Sequence, residues 1–211
     1  MKIQTVVCGI YQSNAYLVYD ESHEDALVID AGGDAEKILD RAKLCGKKIT
    51  AIVLTHGHFD HILAVNELRQ ATGAKVYIHM GDAKWLSDAR LNCYAFLGEK
   101  APFTSCEADE LIQTVDGEGA LSLCGIDFTV LSTPGHTPGC ICLYVATERV
   151  MFTGDTLFAD GYGRLDLPGG NVSEMTKSLK RLYAMDGDIT IYPGHGACEQ
   201  LRVIQGTGYM D

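Results

Sequence analysis

The segment Thr55-His56-Gly57-His58-Phe59-Asp60-His61 places three imidazoles and a carboxylate within six residues, directly after the apolar run Lys48 to Leu54. Neutral imidazole and carboxylate are the usual ligands of zinc and iron. A regular helix or strand cannot aim all four at one ion, because its side chains fan around the axis or alternate between faces. The segment therefore reads as a tight loop shared between two metals.

Composition narrows what surrounds this loop. A chain of 211 residues is long enough for one large domain with a sizeable core. Its 46% hydrophobic and 21% charged residues are those of a water-soluble protein. A formal charge of -11 argues against nucleic acid as the partner, since a phosphate binder needs a basic surface. The start, Met1-Lys2-Ile3-Gln4, has no apolar leader core, and no run approaches the ~18 apolar residues of a membrane span. The expectation is a cytoplasmic protein that acts on a small molecule and binds neither nucleic acid nor membrane. Eight irregularly spaced cysteines are then expected as reduced thiols. Cys140 and Cys142 should face one side of a strand, as packing groups rather than a Cys-x-Cys metal site.

Periodicity orders the elements. Strands are expected over Lys2 to Val7, Asn14 to Tyr19, Ala26 to Ile29, Lys48 to Leu54 and Lys75 to His79. A helix should run to Leu44 with Asp34 as its N-cap, and another over Ile62 to Ala71. Residues 80–110 read as a short helix around Asp82 to Ser87, then an irregular insert near the active site. Its Trp85, Tyr94, Phe96 and Phe103 either line a cleft or pack the insert down. The second half follows the same plan, with strands at Leu121 to Leu123, Phe128 to Leu131, Ile141 to Val145, Val150 to Phe152 and Ile189 to Tyr192, and a helix over Asn171 to Met185. Two β-rich halves with outer helices suggest two sheets face to face under helical layers.

Three later turns each offer one ligand beside glycine: Pro134-Gly135-His136, Gly154-Asp155-Thr156 and Pro193-Gly194-His195. Asp60, His136, Asp155 and His195 all follow expected strands, so they could converge at one edge of the sandwich. In this order the motifs resemble the metallo-β-lactamase superfamily, whose signature is His-x-His-x-Asp-His followed by separate His, Asp and His ligands. The resemblance covers nearly the whole chain and implies an α/β protein, an αββα four-layer sandwich, as one domain over residues 1–211. It implies two divalent metal ions, zinc first, with iron or manganese as alternatives. His56, His58 and His136 would hold one ion, and Asp60, His61 and His195 the other, with Asp155 bridging. The stretch from Gly163-Arg164 through Asp166 to Gly169-Gly170 looks like the short bacterial glyoxalase II type. That type implies hydrolysis of a hydroxyacylglutathione thioester, attacked by a metal-bridging hydroxide that Asp60 orients.

Arg164 matches a basic position that contacts glutathione in such relatives; otherwise it serves its own turn. Asp166 stands where longer relatives tend to have an aromatic residue. Only Gly196 to Asp211 follow His195, too short for the helical region that grips glutathione in those enzymes, so another thiol stays open. True β-lactamases usually carry a different ligand set, and Asp155 favours thioester over lactam. The alternative is an iron persulfide dioxygenase using His56, His136 and Asp155. A non-catalytic binding module would be expected to have lost ligands, and none is lost. Asp30 either holds a ligand's second ring nitrogen or caps the turn at Gly32-Gly33. His79 is read as a hydrogen-bonded bystander and His23 as solvated.

Overall fold

The computed structural model describes residues 1–97 and 103–207, so positions 98–102 of the expected insert lie outside the described residues. Among the described residues, twelve strands form two six-stranded sheets. The first contains β1 (Lys2–Cys8), β2 (Ser13–Tyr19), β3 (Asp25–Ile29), β4 (Lys48–Leu54), β5 (Lys75–His79) and β6 (Glu110–Ile112), paired in that order. β1 to β3 are antiparallel and β3 to β6 parallel. The parallel strands are joined by crossovers carrying α1 (Ala35–Leu44) and α2 (Val65–Thr72).

The second sheet runs β7 (Glu118–Leu123), β8 (Ile126–Ser132), β9 (Ile141–Val145), β10 (Val150–Gly154), β11 (Thr190–Pro193) and β12 (Glu199–Gln200). Its one parallel pair is β10 with β11, spanned by α3 (Val172–Tyr183); α4 (Leu201–Gln205) follows β12.

Apolar side chains sort into three layers, and β2 shows why. Along it, Tyr16 and Val18 point between the sheets, whereas Ala15, Leu17 and Tyr19 point toward α1 and α2. The middle layer adds Leu27, Ile29 and Val53 from the first sheet and Phe128, Val130, Leu143 and Phe152 from the second. α3 buries Met175, Leu179 and Leu182 on one helical face against Met151, Ile191 and Ile204. Strand and helix layers therefore stack as an αββα sandwich, as expected.

Several local expectations change. Asp34 precedes α1 but does not cap it: its φ is 51°, and its carboxylate accepts from Gly9 N at 3.0 Å and pairs with Lys37 at 2.8 Å. Asn171, by contrast, caps α3, its Oδ1 accepting from Glu174 N at 3.1 Å. The helix expected over Ile62 to Ala71 begins only at Val65, after a 3-10 turn at Phe59–His61. The one around Asp82 is itself 3-10, Met80–Leu86. All eight cysteines are free. Cys142 packs beneath α3, while Cys140 sits just before β9 with its Sγ 3.1 Å from Thr137 Oγ1; neither falls in a metal-ligand group among the described residues.

No described helix is long and apolar enough to cross a membrane.

Candidate metal centre

All seven residues singled out by the motifs meet at one edge of the sandwich. The loop after β4 supplies His56, His58, Asp60 and His61. Turns after β8, β10 and β11 supply His136, Asp155 and His195. Those three strands run the same way, so their C-terminal ends open onto the same rim.

The ring nitrogens face one another. His58 Nδ1 lies 2.8 Å from His136 Nε2, and His61 Nε2 lies 3.3 Å from His195 Nε2. Asp155 reaches across both groups, its Oδ1 3.4 Å from His61 Nε2 and its Oδ2 3.5 Å from His136 Nε2. Asp60 Oδ2 sits 3.3 Å from His195 Nε2. Among the described residues three candidate ligand groups emerge: His56–His58–His136, His56–His61–Asp155 and Asp60–His61–His195.

Hydrogen bonds outside the cluster decide which nitrogens face inward. His61 Nδ1 donates to Asp30 Oδ2 at 2.9 Å and His136 Nδ1 to the Arg164 carbonyl at 2.7 Å. His195 Nδ1 donates to the Tyr11 carbonyl at 3.2 Å. His56 Nδ1 meets Thr55 Oγ1 at 3.1 Å, and that hydroxyl donates to Asp30 Oδ2 at 2.8 Å. Each of these rings therefore presents an Nε2 lone pair to the centre. Asp30 thus takes the first of its two expected roles: it is buried, at φ 58°, holding His61 and the Thr55 turn rather than Gly32-Gly33.

The donor set fits divalent cations. His56 Nε2 and Asp155 Oδ1, both facing inward, are buried without a hydrogen-bond partner among the described residues, an unfavourable state that a bound ion relieves. Neighbouring ligands at a tetrahedral ion with bonds near 2.0–2.1 Å lie about 3.3 Å apart, close to most of the separations above.

In the cation-free chain, protons partly take the ions' place. Burial opposes charge on His61, but Asp155, Asp30 and Asp60 outweigh it and raise its pKa well above the usual imidazole value. Burial likewise opposes charge on His195, whose pKa Asp60 and Asp155 raise. Burial, with His61 next, holds His56 well below that value, and burial with His136 lowers His58 to about 3. Asp155 stays ionised despite its burial because His61, His56 and His136 surround it.

A cleft of about 520 Å³ opens over the cluster, with His58, Asp60, His136, Asp155 and His195 at its floor. The aromatics of the insert divide. Phe96 is exposed and lines the cleft; Tyr94 packs on Phe59 and Phe103, and Trp85 is buried. Arg164 also lines the cleft, with its guanidinium held bidentate by Asp166 at 2.7 Å for both bonds. His79 caps the Met80–Leu86 turn by accepting from Gly81 N and also meets Thr114 Oγ1, which makes it a bystander. His23 is half exposed, beside Asp20.

One residue escaped the motif reading. Asp82 is fully buried and accepts from Gly57 N at 2.9 Å, Thr137 Oγ1 at 2.6 Å and Gly139 N at 2.6 Å. Burial raises its pKa, and the three donated bonds oppose that.

A family model described as "Metallo-beta-lactamase superfamily" matches residues 8–195. The chain belongs to the metallo-β-lactamase superfamily. It is 37% identical over 197 residues to "Probable metallo-hydrolase YqgX" of Bacillus subtilis (strain 168), covering 93% of this chain and 90% of that one. It is 33% identical to "Hydroxyacylglutathione hydrolase GloC" of Haemophilus influenzae, covering 93% and 92%. Among solved structures, BLEG-1 B3 metallo-beta-lactamase superposes with a TM-score of 0.89 at 32% identity, over 99% of this chain and 97% of that one. TTHA1623 in a di-iron-bound form gives 0.80 at 34%, over 95% and 96%. ETHE1 from Myxococcus xanthus gives 0.74 at 27%, over 96% and 80%.

Proposed function

We propose that this protein is a dinuclear metal-dependent hydrolase that cleaves a small-molecule thioester of the hydroxyacylglutathione type. The observation that carries the reading is the complete set of seven inward-facing ligands beneath an open cleft. The likeness to GloC supplies the substrate class. His56, His58 and His136 would hold one divalent ion and Asp60, His61 and His195 the other, with Asp155 between them. Once bound, such ions would supply acidification of a coordinated water and stabilisation of negative charge on a thioester oxygen and a leaving thiolate. Zinc suits these donors, as do iron and manganese, and the di-iron form of TTHA1623 supports keeping iron in view.

The chain's own groups do the rest. Asp60 is partly exposed at the cleft floor, beside His195, and orients the attacking water through its carboxylate. Burial of His56, His58, His61, His136 and Asp155 keeps bulk water from competing for the same lone pairs. Phe96 and Phe158 supply apolar wall for the substrate. A carboxylate on the thiol half would compete with Asp166 for Arg164. A cytoplasmic setting and the absence of a nucleic-acid partner belong to the same proposal.

The test is hydrolysis of a hydroxyacylglutathione thioester, lost on chelation and restored by Zn²⁺, Fe²⁺ or Mn²⁺. Fully metallated protein that turns over no thioester refutes the substrate class. The second reading, a mononuclear iron persulfide dioxygenase using His56, His136 and Asp155, draws on the likeness to ETHE1 and on the 3.5 Å approach of His136 to Asp155. One iron per chain, with oxygen uptake on a persulfide, would favour it. A β-lactam belongs in the same panel because BLEG-1 is named as a metallo-beta-lactamase.

A further inference from the structure

We infer that Asp82 is a positioning residue for one of the two cation sites: its carboxylate ties the His56–His58 segment to the His136 loop and sets their spacing. The inference rests on the two-ion reading of the centre, not on the identity of the substrate.

Every donor to Asp82 is a close chain neighbour of a ligand. Gly57, which gives its N–H to Oδ2, lies between His56 and His58. Thr137, whose hydroxyl donates to the same oxygen, follows His136, and Gly139 N–H donates to Oδ1 from the end of that loop. The three ligands so flanked are the group His56–His58–His136. Asp82 belongs to no ligand group itself, and no part of it reaches solvent.

Packing enforces the same spacing. A Cβ on Gly57 would collide with Trp85, and a Cβ on Gly139 would collide with Asp82. Both ligand loops are therefore seated at backbone contact distance on one short element, Met80–Leu86. Only an acceptor-only group satisfies three converging donors. An asparagine there would turn an N–H toward one of them.

Asp30 plays the matching part on the other side. It accepts from His61 Nδ1, Thr55 N and Thr55 Oγ1, so it orients the ligand shared with Asp60 and His195. Two buried carboxylates, neither a ligand, thus support the centre unequally: Asp82 braces only the His56–His58–His136 group, whereas Asp30 holds His61 directly and reaches His56 through Thr55.

Metal titration separates this role from a merely structural one. Metal-free protein, prepared by chelation, is titrated with Zn²⁺ by calorimetry, and the wild type is expected to show two binding steps. Asp82→Asn should weaken one step by about 10-fold, the lower end of the effect of losing a partner bonded directly to a ligand, because Asp82 acts through the ligands' chain neighbours. The other step should move far less. Asp30→Asn should weaken the opposite step most, through His61, and the first step less, through Thr55 and His56. If Asp82→Asn weakens both steps equally, or neither, the inference is overturned. Should that variant fail to fold, Thr137→Val removes one of the three bonds. It should weaken the same step more modestly, with Thr137→Ser restoring it; no change in Thr137→Val also overturns the inference. Two-ion wild-type protein without thioesterase activity would sink the proposed substrate and leave this role standing. An active two-ion enzyme indifferent to Asp82→Asn would do the reverse.

Discussion

His56 and His195 belong to the same cluster but differ in what depends on them. His56 is fully buried and its nitrogen falls in two ligand groups, whereas His195 is partly exposed and reaches only the group of Asp60 and His61. His195→Ala should therefore retain about one cation per chain after dialysis, and His56→Ala less than one. Elemental analysis of the two purified variants checks this, and equal metal content would show that His56 serves only one of its two groups. The seven residues of the cluster were legible in the sequence because each is a histidine or aspartate in a turn that ends an apolar run, all but Asp60 and His61 beside a glycine. Asp30 was legible only as a choice between two roles, since a strand-end aspartate serves a turn as readily as an imidazole. Asp82 was not legible at all. What makes it matter is contact with Gly57 and Gly139, 25 and 57 residues away in the chain, and no local pattern carries that.

Between elements, β2 is what fixes the His195 turn. Asn14 Nδ2 donates to the Pro193 and Gly196 carbonyls at 2.9 Å each, and Asn14 N donates to Gly194 O at 2.7 Å. Tyr16 Oη donates to the same Pro193 carbonyl at 2.6 Å. Asn14→Ala removes both side-chain bonds from a buried position, so a loss of about 1–3 kcal/mol in urea unfolding is expected. Cation binding at the Asp60–His61–His195 group should weaken with it. A loss below about 0.5 kcal/mol would mean that Tyr16 and the backbone bond suffice. The long apolar strands and amphipathic helices were legible from their periods, because burial on one or both faces imprints directly on residue order. β6 and β12, three and two residues long, were missed, as was α4 with five. Elements that short are stabilised by the neighbours they pair with rather than by a pattern of their own. The 3-10 turns at Phe59–His61 and Met80–Leu86 have the same origin: their geometry follows from the ligand loops packed against them.

At the scale of the whole molecule, the ligands divide by sheet. His56, His58, Asp60 and His61 extend from the first sheet, and His136, Asp155 and His195 from the second. Away from that rim, the two sheets are joined mainly by the apolar layer around Tyr16, Val53, Leu143 and Phe152. Cations bound across the rim would therefore couple the halves, and because they bind the folded arrangement and not the unfolded chain, their binding energy adds to stability. At a free concentration a thousand times the dissociation constant, one such ion contributes about 4 kcal/mol. For a chain of this size each kcal/mol shifts the unfolding midpoint by roughly 2–4 °C, so chelation should lower Tm by on the order of 10 °C per ion lost. Thermal unfolding with and without chelator, followed by Zn²⁺ back-titration, measures the shift. Recovery should occur in a single cooperative transition, since ions bridging the sheets stabilise both halves together. A chelated protein whose midpoint does not move would show that the seven side chains hold their places without help from any ion, and the dinuclear centre would have to be abandoned.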